Sequence, residues 1–374
     1  MRKPTNPFIL SGYHSPAYFC DRENEFSWLL EQFQNERNVV FHSWRRTGKS
    51  ALVRHFFNHL ETEKMADCIY VDLLGTSSLA EANRRLASAI IHQLMDLKQG
   101  IGSKMLQLLR SIGATVGIDP LSGAPQLSFG FQTSGSIENS FEAFGAFLAE
   151  RERPIIICLD EFQQITHYTE TNVEAIFRTW VQQYPMIRFI FCGSHRHLMV
   201  GMFSEASRPF YRSAEVRALE PIPSAAYSAF ISTKFKVAGK KITQSNIDSI
   251  FQWTRKQTYY VQLVCNHLYG KTDEVTDEWL ADVFDGIIQQ EIPLLSGYQA
   301  LLTTYQWRML CALAKAENTT SPTSQEFLVQ HELGAASSAR TALNTLLLRE
   351  FVILQDKKYT LHDTLLMRWI QTLV

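Results

Sequence analysis

Three short stretches hold residue types that can do chemistry together. The first is Val39-Val40-Phe41-His42-Ser43-Trp44-Arg45-Arg46-Thr47-Gly48-Lys49-Ser50, an apolar run that breaks into a turn and ends in Gly-Lys-Ser where a helical pattern begins. Holding a chain of phosphates takes a ring of backbone N–H groups, a glycine that lets the backbone come close, a lysine for the outer phosphates and a hydroxyl for Mg²⁺. Gly48, Lys49 and Ser50 supply the last three. Residues Ser43, Trp44, Arg45, Arg46, Thr47, Gly48, Lys49, Ser50 and Ala51 are therefore the candidate phosphate contacts, with Ser50 a candidate metal ligand. The strict loop pattern has glycine five positions before Gly48, where this chain has Ser43. A serine fits that strand-to-turn junction if its φ is negative.

The second stretch is Pro154-Ile155-Ile156-Ile157-Cys158-Leu159-Asp160-Glu161-Phe162. A proline-opened apolar run reads as a strand buried on both faces. In a parallel α/β sheet, chemistry collects at the carboxyl ends of the strands. There Asp160 can hold the water of a metal ion and Glu161 can polarise the attacking water, though an acidic helix N-terminus would look the same. The third stretch, Arg188-Phe189-Ile190-Phe191-Cys192, ends in Gly193-Ser194. Ser194 can reach a terminal phosphate or the attacking water, or it can simply cap the next helix.

These residues need a frame. The chain has 374 residues, enough for two or three domains. Lysine and arginine number 36 against 37 carboxylates, a balance that argues against a chain held to nucleic acid or membrane by charge alone. No apolar run nears the about 20 residues a membrane span needs, and nothing at the N-terminus resembles a signal peptide. The six cysteines show no CxxC spacing and sit mostly in apolar surroundings, as reduced cysteines of a cytoplasmic protein would. With no histidine–cysteine ligand cluster, Mg²⁺ carried with a nucleotide is the only cofactor implied.

Helix and strand patterns alternate from Phe26-Leu29-Leu30-Phe33 onward: the phosphate loop, a helix to about Leu60, a strand Cys68–Asp72 and a helix Leu79–Leu97. Residues 100–136 interrupt this with seven of the eighteen glycines, so they read as an insertion carrying a strand near Leu127-Ser128-Phe129-Gly130-Phe131. A helix Ser140–Glu150, the Asp160 strand, a helix Val173–Gln183, the Ser194 strand and a last strand Glu215–Leu219 complete an α/β core over residues 1–219. Residues 220–295 read as a small helical domain. Residues 296–374 read as three helices followed by two short strands joined at Asp356-Lys357-Lys358, a winged-helix arrangement. From residue 299 it carries seven lysines and arginines against six carboxylates, too few cations for a DNA-binding face, so protein contact is expected ahead of DNA.

The loop from Ser43 to Ser50 resembles the G-P-R-R-T-G-K-T loop of the archaeal-type ATPases, a branch of the STAND switches related to AAA+ proteins. Tyr18-Phe19-Cys20-Asp21-Arg22-Glu23 is similar to that family's F-x-G/D-R-E opening segment. Leu159-Asp160-Glu161-Phe162-Gln163 is similar to its second motif, and His362-Asp363-Thr364-Leu365-Leu366-Met367-Arg368-Trp369 to its C-terminal ending. Thr258-Tyr259-Tyr260-Val261-Gln262 falls where the family has G-x-P-x-Y-x-Q, with Thr258 in the place of the proline. The resemblance implies an α/β P-loop NTPase of the AAA+/STAND type, made of a parallel-sheet core, a helical lid domain and a C-terminal winged helix. It implies a switch that binds ATP and ADP with Mg²⁺ between the core and the lid, with Tyr18, Phe19 and Tyr260 near the base. Lys49, Asp160, Glu161 and Ser194 would be catalytic, and Ser50 and Asp160 would serve the metal. Arg212, or Arg208, would supply positive charge to the transition state within the chain or across a self-association interface.

Three functions remain open at this level. One is an ATP-hydrolysing switch that signals through protein partners, with slow turnover. Another is a DNA-binding initiator or transposition-type ATPase that uses its winged helix. The last is a nucleotide-binding scaffold that scarcely hydrolyses.

Overall fold

Apolar runs with no polar side need cover on both faces, which a parallel sheet gains from helices packed above and below it. A computed structural model describes residues 4–94, 108–110, 113–118, 125–129 and 134–373 of the chain. The chain divides into two compact units, Ser11–Ile222 and Met1–Leu10 with Pro223–Val374.

In the first unit, β1 (Val39–His42), β2 (Asp67–Asp72), β5 (Ile155–Asp160), β6 (Ile187–Gly193) and β7 (Glu215–Ala218) form one parallel sheet in the order β2-β5-β6-β1-β7. The two-residue period of a strand sends alternate side chains to opposite faces. Val39, Phe41, Cys68, Ile156, Cys158, Ile190 and Cys192 pack with α1 (Glu23–Gln34) and α2 (Lys49–Thr62). Val40, Ile69, Ile157, Leu159, Phe189 and Phe191 pack with α3 (Leu79–Leu94), α4 (Ser134–Ala149), α5 (Val173–Gln183) and α6 (Arg196–Ser204).

The helix expected at Ser140–Glu150 begins earlier, at Ser134, because Ile137, Phe141, Phe144 and Leu148 make one buried stripe that carries a weak Ser-Gly-Ser start. Within the insertion, β3 (Ala114–Ile118) and β4 (Pro125–Phe129) pair antiparallel, from Ala114 opposite Phe129 to Ile118 opposite Pro125. Gly130, Phe131 and much of the rest of residues 100–136, like the end of the helix expected to reach Leu97, lie outside the described residues.

The second unit starts with α7 (Ser224–Val237), α8 (Gln244–Thr254), α9 (Thr258–Lys271) and α10 (Asp277–Ala300). Phe8 belongs here, wholly buried against Phe230, Phe235 and Tyr269. The helix α10 is continuous through Pro293, so position 295, where the sequence suggested a boundary, lies inside a helix. Next come α11 (Thr304–Ala316), α12 (Gln325–Gln330), α13 (Ala336–Leu348), the hairpin β8 (Val352–Gln355) and β9 (Lys358–Leu361), and α14 (Thr364–Thr372). Asp356 and Lys357 both have positive φ, as a two-residue hairpin turn of this twist requires. The sequence reading did not foresee α14, which Asp363 caps by accepting from the amides of Leu365 and Leu366.

A polar seam fixes the winged helix to the α8–α9 turn. Arg255 Nη1 donates to the Leu361 carbonyl at 2.6 Å, and Gln257 Nε2 donates to that of His362 at 3.1 Å. The Thr364 hydroxyl donates to Gln257 Oε1 at 3.0 Å. Arg368 reaches furthest, donating to the carbonyls of Trp253 (3.0 Å) and Gln252 (2.8 Å) and pairing with Glu317 at 2.6 Å. Its side chain is only 14% exposed. Arg368→Ala removes these bonds together with the packing of a largely buried side chain and should cost about 1–3 kcal/mol. Urea unfolding of the variant should shift by that amount, and a loss under about 0.5 kcal/mol would mean that the seam contributes nothing.

Candidate functional site

The sheet order puts β6 between the strand that leads into the Gly-Lys-Ser loop and the strand that ends in two acids. The carboxyl ends of β1, β6 and β5 thus lie side by side, where the strand order changes direction. The loop is joined to its neighbours there by Ser43 N to Gly193 O at 3.3 Å and Leu219 N to His42 O at 3.0 Å.

The loop itself is closed by its first serine. Ser43 is not among the residues of positive φ, and its hydroxyl sits 2.5 Å from Thr47 Oγ1, which donates on to Trp44 O at 2.9 Å. A hydroxyl staple thus stands where the strict pattern has a glycine. Gly48 (φ +95) and Arg46 (φ +67) make the left-handed steps of the turn. The first helical bond of α2 is Leu52 N to Gly48 O at 3.0 Å. Among the described residues, the amides of Gly48, Lys49, Ser50 and Ala51 bond to no other group, which makes the helix start an anion cradle.

Lys49 is only 6% exposed. Its ammonium donates to Ser43 O (3.2 Å) and Trp44 O (3.4 Å), both carbonyls of its own loop. Burial pulls its pKa below the usual range, while Glu161 and Asp160 nearby oppose that shift. An anion seated at the free amides would restore to this cation the charge compensation that burial removed. Neighbouring His42 adds no competing charge near neutral pH, because burial, with Arg196 and Lys49 beside it, pushes the imidazole down to about 4.

Facing the loop, Asp160 is 5% exposed and held by three donors. Ser50 Oγ donates to its Oδ2 at 2.7 Å, the Tyr70 hydroxyl donates to the same oxygen, and the Glu161 amide donates to Oδ1 at 3.0 Å. Glu161 has a left-handed backbone (φ +53) that turns its side chain off the strand. Its Oε2 accepts from Ser194 Oγ and from Gln163 Nε2, each at 2.6 Å. Arg45 Nε lies 3.5 Å from the Ser194 hydroxyl. Gly193 must lack a side chain, since a Cβ there would come within 2.4 Å of Gln163 Oε1 and of Met199. The hydroxyl of Ser50 and the carboxylate of Asp160 are a hard-oxygen pair suited to Mg²⁺, so the residues present fit both a polyphosphate and its cation.

Not every candidate joins this group. Arg208 is engaged by both carboxylate oxygens of Glu174, and Arg212 is exposed with its guanidinium 5.2 Å from the centre of the Tyr211 ring. Phe19 stacks on His55 of α2 at 4.4 Å, and Tyr18 packs edge-on to His14 at 5.1 Å. Tyr260 is wholly buried in the second unit with its hydroxyl on Asp363 Oδ1 at 2.9 Å.

Two members had no role from spacing alone. Arg22, 3% exposed, pairs with Glu25 at 2.7 Å and donates to Glu220 O at 2.6 Å and to Thr47 O at 3.3 Å, pinning the loop from behind. Its signal was the Asp-Arg-Glu opening segment. Gln163 belongs to the second motif, and only the fold shows that its amide holds Glu161.

A loop strand and an acid-bearing strand separated by one strand, with a winged helix later in the chain, define a P-loop ATPase of the AAA+-like type. The family described as "ATPase domain predominantly from Archaea" matches residues 19–264, and the chain belongs to it. A second family, described as "Probable winged helix domain", matches residues 295–372. No curated protein matches the chain. Among solved structures, the Walker-type ATPase PABY2304 of Pyrococcus abyssi has a TM-score of 0.68 at 16% identity, over 98% of this chain and 99% of that one. The Aeropyrum pernix ORC2 protein, in ADPNP–ADP complexes, has a TM-score of 0.58 at 12% identity, over 98% and 97% of the two chains. The A. pernix ORC1 protein in complex with DNA has 0.52 at 12%, over 98% and 96%. At such identities these likenesses show the fold alone. Among the described residues no helix is long and apolar enough to cross a membrane.

Proposed function

We propose that this chain is an ATP-binding and slowly ATP-hydrolysing switch of the STAND type that acts through protein partners. The observation that carries the proposal is the Glu161 carboxylate, one residue beyond the Ser50–Asp160 pair, held by Ser194 and Gln163 at the mouth of a loop whose buried lysine donates to two of the loop's own carbonyls. In this reading Lys49 and the amides of Gly48 to Ala51 take the outer phosphates. Ser50 and Asp160 hold Mg²⁺, which when bound neutralises charge on the phosphates. Glu161 accepts a proton from the attacking water, and Ser194 orients the carboxylate that does so. Both donors sit on Oε2, which leaves Oε1 to take that proton. Arg212, exposed and outside the group, is the candidate for a charge supplied across a self-association contact.

Loss of the γ-phosphate removes what Lys49 holds, and a bias of a few kcal/mol at the loop is enough to switch a two-state element. The free cysteines, five of them buried, support a reducing cytoplasmic setting. Glu161→Gln keeps volume and hydrogen bonding but removes the base. It should still bind ATP while hydrolysis falls by about 10² or more. Lys49→Ala should fold and lose most ATP affinity. Wild-type hydrolysis in the first variant would make Glu161 structural, and wild-type affinity in the second would remove the phosphate site.

Protein contact is favoured over DNA because the winged helix has few cations and ties three of its seven to backbone carbonyls. Arg308 donates to Glu332 O, Arg349 to Leu301 O at 2.7 Å, and Arg368 is bound into the seam, which leaves Arg340, Lys315, Lys357 and Lys358 for a nucleic-acid backbone. The full chain should bind mixed-sequence duplex no tighter than about 10⁻⁶ M at physiological salt, with a steep salt dependence. Sequence-selective binding at nanomolar concentration, with or without ATP, would favour the initiator reading instead.

A further inference from the structure

Tyr70 lies on β2, on the strand next to the one that carries the two acids, and no motif includes it. Register and strand period together bring it into the site. Tyr70 stands opposite Cys158, two residues before Asp160, so Tyr70, Cys158 and Asp160 share the face of the sheet that α2 covers. From there the phenol reaches past Cys158 and donates to Asp160 Oδ2, the same oxygen that accepts from Ser50 Oγ.

The ring is itself held in place. The guanidinium of Arg54, one helical turn after Ser50 on α2, lies 4.0 Å from the Tyr70 ring centre. A phenol is protonated near neutral pH, so it serves as the donor in this bond.

We infer that Tyr70 is a positioning residue for the metal-binding carboxylate: it keeps Asp160 Oδ2 aimed at the Ser50 hydroxyl when that hydroxyl turns from the carboxylate to Mg²⁺. Without it, Oδ2 would lose its remaining donor at the moment Ser50 left, and the side chain would be fixed only through Oδ1 and the Glu161 amide. Outer residues that orient a metal-binding group usually matter to metal affinity about as much as this geometry suggests, typically 10- to 100-fold. The inference rests on the phosphate-site reading above, and its test separates the two.

The test compares ATP dissociation constants of the full chain in excess EDTA and in excess Mg²⁺, for wild type, Tyr70→Phe, Asp160→Asn and the double variant. Tyr70→Phe keeps the ring, its packing and the Arg54 contact. It should bind ATP in EDTA within about twofold of wild type while its Mg²⁺-dependent tightening falls roughly tenfold. In the Asp160→Asn background the same change should add nothing, because the oxygen it positions no longer serves the cation. Unaltered Mg²⁺ tightening in Tyr70→Phe, or effects that simply add in the double variant, would overturn the inference and leave Tyr70 as packing. If wild type binds ATP in neither condition, the phosphate-site reading falls first and this one with it.

Discussion

The site depends on a buried ammonium whose hydrogen-bond acceptors, among the described residues, are two carbonyls of its own loop. Desolvating a lysine is costly, and two carbonyl oxygens at 3.2 and 3.4 Å compensate it only in part. Much of the local architecture keeps that arrangement from collapsing onto a nearby acid. Asp160 is tied by Ser50, Tyr70 and the Glu161 amide, and Glu161 by Ser194 and Gln163. Both carboxylates sit near enough to oppose the lysine's pKa shift, and among the described residues neither forms a salt bridge with it. An incoming polyphosphate therefore meets an ammonium that no carboxylate occupies.

The Ser43 hydroxyl shows how such a loop is closed without the usual first glycine. Because φ at Ser43 is not positive, a side chain is tolerated, and its hydroxyl then bonds Thr47 across the turn. Arg22 holds the same turn from the opposite side through Thr47 O and anchors it to Glu220, near the end of the first unit. In the second unit the winged helix is not a loosely tethered module: α10 runs on through Pro293, and Arg255, Gln257, Thr364 and Arg368 stitch it to the α8–α9 turn.

The sheet and its phosphate loop were legible because their signals are local: apolar runs for strands buried on both faces, and Gly-Lys-Ser at a helix start. The acids were legible for the same reason, standing at the end of one such run. What stayed hidden depends on register between strands distant in sequence. Nothing near Tyr70 says that it pairs opposite Cys158, and nothing near Gln163 says that a backbone turn at Glu161 brings the two side chains together. A motif position suggested a base contact for Tyr260, and nothing near it in sequence shows that its hydroxyl meets Asp363, 103 residues on. The α14 helix was hidden because its short apolar stripe resembles a chain end until Asp363 is seen capping it.

The central claim is that the loop from Ser43 to Ala51 recognises outer phosphates through Lys49 and the free amides of the helix start. Calorimetric titration of the full wild-type chain with ATP, ADP and AMP in Mg²⁺ tests it most directly. The account predicts one ATP or ADP per chain, with AMP weaker by about tenfold or more because it lacks the phosphates that these groups hold. Equal affinity for all three, or no binding of ATP, would contradict it.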